Sequence, residues 1–185
     1  MDKSCMLKPN KRPVTWSDIK LLLFDCDGVL TDCRIIYGEK DQELKHFHGH
    51  DGMGFNLIRY TDLQVGVITG RSSAALSRRC NDLHIEHLYQ NVGNKLQCLN
   101  ELLAKLNLEY RNVVYMGDDW NDVPVMRKVA LSAAPADAQA EILKIADWVS
   151  VRDGGHGAVR DLINYVLFRK GIIEKAVLHY LETIC

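Results

Sequence analysis

The sequence predicts an α/β protein built on a Rossmann-like, doubly wound parallel sheet. Two patterns carry that expectation. Short, continuous apolar runs recur along the chain and each ends in polar residues, as strands buried on both faces do. Stretches with helical spacing of apolar residues lie between them, and strand alternating with helix leads to a parallel sheet covered by helices on both faces. The 185 residues suit one such domain, large enough to bury a core without disulfide or metal staples.

The elements follow in order. Residues 1–17 are polar, with Pro9 and Pro13, and read as a flexible N-terminal arm. Leu21-Leu22-Leu23-Phe24 is the first strand and stops at Asp25. Arg34-Ile35-Ile36-Tyr37 and Glu43-Leu44-Lys45-His46-Phe47 flank Gly38-Glu39-Lys40-Asp41, which makes residues 33–47 an inserted β-hairpin. It is too short to be a domain and calls for a partner surface. Met53, Leu57 and Ile58 mark a helix over 52–60. Val65-Gly66-Val67-Ile68 is the next strand and runs into Thr69-Gly70. Helices over 72–83 and 94–106 follow, the second with Leu96, Leu99, Leu103 and Leu106 at helical spacing. Val113-Val114-Tyr115-Met116 is the third strand and ends in Gly117-Asp118. Helices over 123–128 (Pro124 in its first turn), 137–145 and 158–168 complete a domain spanning 18–170. Residues 171–185 form a C-terminal helical extension. With Leu167, Phe168, Ile172, Ile173, Val177, Leu178 and Leu181 it reads as an amphipathic helix packing on the domain or on a neighbour. Its polar face is not strongly basic, which argues against a membrane-surface helix.

Composition narrows the function. Lys and Arg number 23 against 24 Asp and Glu, a formal net charge of −1, so no basic face for nucleic acid is expected. The longest apolar runs are far too short to span a bilayer. Met1-Asp2-Lys3-Ser4-Cys5 leads into polar residues with no apolar signal region. Cys5, Cys26, Cys33, Cys80, Cys98 and Cys185 include no C-x-x-C pair, which suits reduced thiols in a cytoplasm.

The chemistry concentrates at the strand ends. Asp25-Cys26-Asp27-Gly28-Val29-Leu30-Thr31-Asp32 follows the first buried strand, and Gly117-Asp118-Asp119 follows another. Sites in open parallel sheets form outside the carboxyl ends of the strands. If these strands are neighbours, the carboxylates converge, and converging carboxylates repel unless a cation neutralises them. The donors are all oxygens, so Mg²⁺ is expected rather than zinc. Such a site suits phosphoryl groups: the metal neutralises the phosphate while a carboxylate attacks phosphorus. Thr69 offers a hydroxyl and nearby backbone N–H groups at a strand-to-helix turn, and Lys95 a point charge at a helix start. No G-x-x-x-x-G-K-[ST] is present, which excludes a P-loop nucleotide enzyme.

Asp25-x-Asp27-Gly28-Val29-x-Thr31, Ile68-Thr69-Gly70-Arg71, Asn94-Lys95 and Gly117-Asp118-Asp119-x-x-Asp122 resemble, in order, the four motifs of the haloacid dehalogenase superfamily. The hairpin, Asp51-Gly52-x-Gly54, Leu88-Tyr89-Gln90, Pro124-Val125-Met126 and Gly154-Gly155-x-Gly157-Ala158-Val159-Arg160 extend the resemblance to its capless 3-deoxy-D-manno-octulosonate 8-phosphate (Kdo 8-phosphate) phosphatases, over residues 21–168. The resemblance implies a phosphatase of lipopolysaccharide precursor synthesis, with no cap domain. It implies Asp25 as nucleophile and Asp27 as general acid and then base. It implies Mg²⁺ held by Asp25, the backbone carbonyl of Asp27 and Asp118, with Asp119 and Asp122 orienting this shell and Lys95. Thr69 and Lys95 would hold the phosphate. Arg71, Arg79 and the loop of His48, Gly49, His50, Asp51 and Gly52 would contact the sugar acid. A homotetramer built through the hairpins is implied as well.

The chain departs from relatives at His50, Asn56 and His156, where arginine is often found, so fewer fixed charges remain for the substrate carboxylate. Phosphatases of nonulosonate 9-phosphates resemble this chain too. They carry Glu after the Thr-Gly pair, where Arg71 here favours the octulosonate type. Receiver domains of response regulators also gather aspartates, a Thr and a Lys around Mg²⁺. The two-residue step from Asp25 to Asp27 instead sets an acid/base beside the nucleophile. His46, His48 and His50 would share one face of a strand, but Gly49 and Asp51-Gly52 break that strand. Cys26, between the two aspartates, reads as a core-facing thiol.

Overall fold

A computed structural model describes residues 13–39 and 42–184. The expected arm therefore lies mostly outside the described residues, as does the hairpin tip at 40–41. The described residues form eight strands: β1 (Leu21–Phe24), β2 (Ile36–Tyr37), β3 (Glu43–Leu44), β4 (Gln64–Ile68), β5 (His87–Tyr89), β6 (Val113–Met116), β7 (Leu131–Ala134) and β8 (Trp148–Val149). Among the same residues seven α-helices accompany them: α1 (Gly49–Ile58), α2 (Ala74–Asp82), α3 (Lys95–Leu106), α4 (Val123–Met126), α5 (Ala140–Ile145), α6 (Ala158–Arg169) and α7 (Ile173–Glu182). Six strands form one parallel sheet in the order β5-β4-β1-β6-β7-β8, and β2-β3 is a separate antiparallel hairpin.

The sheet is doubly wound because each central strand is apolar on both faces. On one face Leu22, Phe24, Val67, Val114 and Met116 meet residues of α1, α2 and α6, including Phe55, Leu76, Leu162 and Val166. On the other face Leu21, Leu23, Ile68, Val113 and Tyr115 meet Leu99 and Leu102 of α3, Val125 of α4 and Ile142 of α5. Helix α7 packs on the first face through fully buried Ala176, with Val177 and Tyr180 beside it.

The register positions the site. Phe24 pairs with Val67 on one side and Met116 on the other. Asp25 follows Phe24 by one residue, Thr69 follows Val67 by two and Asp118 follows Met116 by two. All three stand at the carboxyl end of the sheet, where the strand order reverses around β1.

Three strands, β5, β7 and β8, lie outside the sequence expectation. A correction concerns residues 48–52, expected as a loop. His48 is the N-cap of α1 and Gly49 to Gly52 form its first turn. This helix start is fixed by tertiary contact: the Arg160 backbone N–H donates to Asp51 Oδ1 at 2.8 Å.

Candidate active site

The chain leaves β1 through a tight turn. The amides of Leu30 and Thr31 both donate to the Cys26 carbonyl, and Gly28 adopts φ +87°. A Cβ at Gly28 would lie 2.1 Å from Asp118 Oδ2, so only glycine lets this turn close onto the acidic strand end. Gly154 is packed as tightly on the other side, where a Cβ would meet the Gly28 carbonyl at 1.9 Å. Cys26 is fully buried in the core.

At the centre, one carboxylate oxygen each of Asp25, Asp118 and Asp122 lies within 4.8 Å of the others, and all three residues are buried. Lys95, the first residue of α3, places its ammonium 2.7 Å from Asp25 Oδ2 and 2.7 Å from Asp122 Oδ1. The Asn94 side chain caps that helix by accepting from the Gln97 amide at 3.0 Å, which aims its first residue into the site. Asp122 is saturated. Its Oδ1 also accepts from the Tyr115 hydroxyl at 2.5 Å, and its Oδ2 from the amides of Asp118 and Asp119 at 3.0 and 3.4 Å. Asp25 Oδ1 accepts from the Cys26 amide at 2.7 Å. Asp118 Oδ1 is buried with no hydrogen-bond partner among the described residues.

The electrostatics follow. Burial, with the charge of Asp122, pushes Asp25 up to about 7, although Lys95 pulls the other way. Burial, with the charges of Asp25, Asp122 and Asp119, pushes Asp118 up to about 8. Burial also opposes the charge on Lys95, but Asp122 and Asp25 overcome it and raise its pKa. Two of the three buried carboxylates, Asp25 and Asp122, share one ammonium. The orphaned oxygen of Asp118 and the all-oxygen donor set fit a hard divalent cation held by Asp25 and Asp118, while Asp122 is fully used in holding Lys95.

Two expected site residues lie apart from this centre. The Asp119 carboxylate is exposed and caps the turn Trp120–Asp122, accepting from the Trp120 amide at 2.7 Å; of Asp119 and Asp122, it is Asp122 that reaches Lys95. Asp27 turns its carboxylate to the hairpin, where Oδ1 accepts from the Lys45 ammonium and Arg71 Nε stands 3.8 Å from Oδ2. Arg71 also donates to Glu43. Thr69 is buried at the end of β4 and accepts from the Arg71 amide at 3.4 Å. Arg79 donates to the His48 carbonyl at 3.2 Å and lies 5.8 Å from the centre of the Phe47 ring, so it secures the start of α1. His48 and His50 meet edge to face with ring centres 5.0 Å apart. Sequence reasoning missed Tyr115, Glu43 and Lys45. The available signal was Glu43-Leu44-Lys45, whose two charges fall on one face of a strand.

A doubly wound sheet with this acidic strand-end cluster and only a hairpin inserted after β1 defines a haloacid dehalogenase-like hydrolase without a cap domain. Residues 81–162 match the family model described as haloacid dehalogenase-like hydrolase. The chain is 43% identical over 159 residues to the 3-deoxy-D-manno-octulosonate 8-phosphate phosphatase KdsC of Escherichia coli (strain K12), covering 86% of this chain and 85% of that one. The crystal structure of the Yersinia pestis phosphatase of the same name superposes with TM-score 0.84 at 42% identity, covering 86% of each chain. That of the Moraxella catarrhalis enzyme, in complex with magnesium, phosphate and Kdo, superposes with TM-score 0.85 at 31% identity, covering 89% of this chain and 95% of that one. The chain belongs to the 3-deoxy-D-manno-octulosonate 8-phosphate phosphatase family.

Proposed function

We propose that this chain is a Mg²⁺-dependent phosphatase that hydrolyses Kdo 8-phosphate to Kdo and phosphate through a phosphoaspartate at Asp25. The observation that carries this reading is the buried Lys95–Asp25 pair beside the unpartnered Asp118 Oδ1. It is a nucleophile held by a phosphate-binding cation next to a carboxylate oxygen suited to a metal.

Asp25 attacks phosphorus, and the bond from phosphorus to the sugar oxygen breaks with its electron pair going to that oxygen. Asp27 delivers the proton the leaving oxygen needs. Asp27 then takes a proton from water as the water attacks phosphorus, and the Asp25 carboxylate is released. Lys95 and Thr69 hold the phosphate oxygens, and Asp122 with Tyr115 fixes Lys95. Asp25, Asp118 and the Asp27 carbonyl would hold Mg²⁺, which when bound neutralises phosphate charge. Arg71 takes the sugar-acid carboxylate.

The hairpin exposes Ile35, Tyr37 and Leu44, which supports assembly of copies through it into a closed ring, as a tetramer. Among the described residues no helix is long and apolar enough to cross a membrane. Unpaired Cys26, Cys80 and Cys98 suit a reducing cytoplasm, where we place the activity.

The test is phosphate release compared by kcat/KM across Kdo 8-phosphate, a nonulosonate 9-phosphate and glucose 6-phosphate, with and without Mg²⁺. The reading expects Kdo 8-phosphate to lead by at least about tenfold. A lead for the nonulosonate ester reassigns the substrate, and a single phosphorylation without turnover rejects an enzyme.

A further inference from the structure

The hairpin has its polarity inverted. On β3, Leu44 faces solvent, whereas Lys45 turns inward until its side chain is 2% exposed. Its ammonium lies between two carboxylates, donating to Asp27 Oδ1 and standing 3.2 Å from Glu43 Oε1. Glu43 in turn accepts from Arg71 through Oε2. An ammonium taken out of water is expensive unless it is closely paired, and replacing such a group by an apolar side chain is often neutral or stabilising. A buried lysine is therefore a weak way to hold a hairpin down. It is a good way to fix where a carboxylate points.

Asp27 needs fixing. It sits in a loop, and its other contacts are loose: the Thr31 hydroxyl at 3.5 Å from Oδ1 and Arg71 Nε at 3.8 Å from Oδ2. Proton transfer requires the carboxyl within about 2.6–3.2 Å of the oxygen it serves.

We propose that Lys45 is a positioning residue for Asp27, held in place by Glu43, so that the inserted hairpin governs proton transfer in the active site of its own chain. This rests on the reading of Asp25 as nucleophile and Asp27 as acid and base. It predicts a specific pattern. A sugar oxygen leaves poorly without a proton, whereas p-nitrophenolate leaves without one. Loss of Lys45 should therefore slow the first cleavage of the sugar phosphate and spare that of the aryl phosphate.

The experiment is a rapid-quench measurement of the first turnover with Mg²⁺, on Kdo 8-phosphate and on p-nitrophenyl phosphate, for wild type, Lys45→Met, Glu43→Gln and Asp27→Asn. Both substrates are read on the same preparation, so any loss of folded protein divides out of their ratio. Lys45→Met should slow release of Kdo about ten- to a hundredfold, the scale expected of a misplaced catalytic group. Its first equivalent of nitrophenolate should appear at the wild-type rate, followed by a slow phase as the phosphoenzyme waits for its base. Glu43→Gln, which keeps the shape of the side chain, should give the same pattern more weakly, including the slow second phase of nitrophenolate release, which a weakened grip of Arg71 on the sugar-acid carboxylate does not produce. If Lys45→Met and Glu43→Gln change both substrates equally, or neither, while Asp27→Asn separates them, Lys45 only anchors the hairpin and the proposal is overturned. If Asp27→Asn fails to separate them, the acid/base reading itself falls and takes this inference with it.

Discussion

The ammonium of Lys95 stands 2.7 Å from Asp25 Oδ2, with both side chains buried. A second carboxylate, Asp122, meets the same ammonium at the same distance. Lys95→Met removes the counter-charge from a cluster that also contains Asp118. Breaking a buried pair costs about 3–5 kcal/mol. We expect that loss in urea unfolding at pH 8 and a smaller one at pH 6, where the carboxylates can take up protons. Turnover should fall by about 10²–10³-fold, as when a charge-stabilising donor is removed.

The acidic cluster predicts an unusual pH dependence. Asp25 and Asp118 are raised from 3.8 to about 7 and about 8 in the folded state. Between those values the folded protein holds protons that the unfolded chain has released. The contribution of these two carboxyls to the stability of the metal-free protein is therefore fully present below 3.8 and is progressively lost as pH rises through about 7 to 8. Mg²⁺ competes with those protons, so its stabilisation should grow in the same direction. Melting temperatures with excess chelator and with Mg²⁺ should diverge more at pH 8 than at pH 6; equal shifts at both would remove the metal from this cluster.

Arg71 is half-exposed and already linked to Glu43, which aims it beside Asp27. Arg71→Ala should lower kcat/KM for Kdo 8-phosphate about ten- to a hundredfold, the worth of one charge-assisted hydrogen bond. A small phosphate ester without a carboxylate should be little affected. Equal losses would make Arg71 a support of the hairpin instead.

Tyr37 is 73% exposed on the hairpin. An aromatic side chain so presented suits an interface between copies. Tyr37→Asp should shift the molecular mass in light scattering toward smaller species. An unchanged mass would place the contact elsewhere.

The sequence made the centre of the molecule legible because β1, β4 and β6 are buried on both faces and read as unbroken apolar runs. The remaining strands carry weaker signals. β5 is only three residues long, β7 is Leu131-Ser132-Ala133-Ala134 with little apolar bulk, and β8 is a two-residue edge. Helix α1 starts three residues before its expected position because Gly49, Gly52 and Gly54 are poor helix formers, and packing against α6 decides the matter. The carboxylates converge as their places at strand ends require. Lys45 does not announce itself, because its partner Asp27 is brought to it only when the hairpin folds back over the strand end.

Acid-quench mass spectrometry of the protein during turnover of Kdo 8-phosphate with Mg²⁺ tests the central claim most directly. The account predicts one phosphate on the peptide carrying Asp25, absent in Asp25→Asn, which should also be inactive while still unfolding in one cooperative transition. Turnover by Asp25→Asn near the wild-type rate, or phosphate found on another residue, would contradict it.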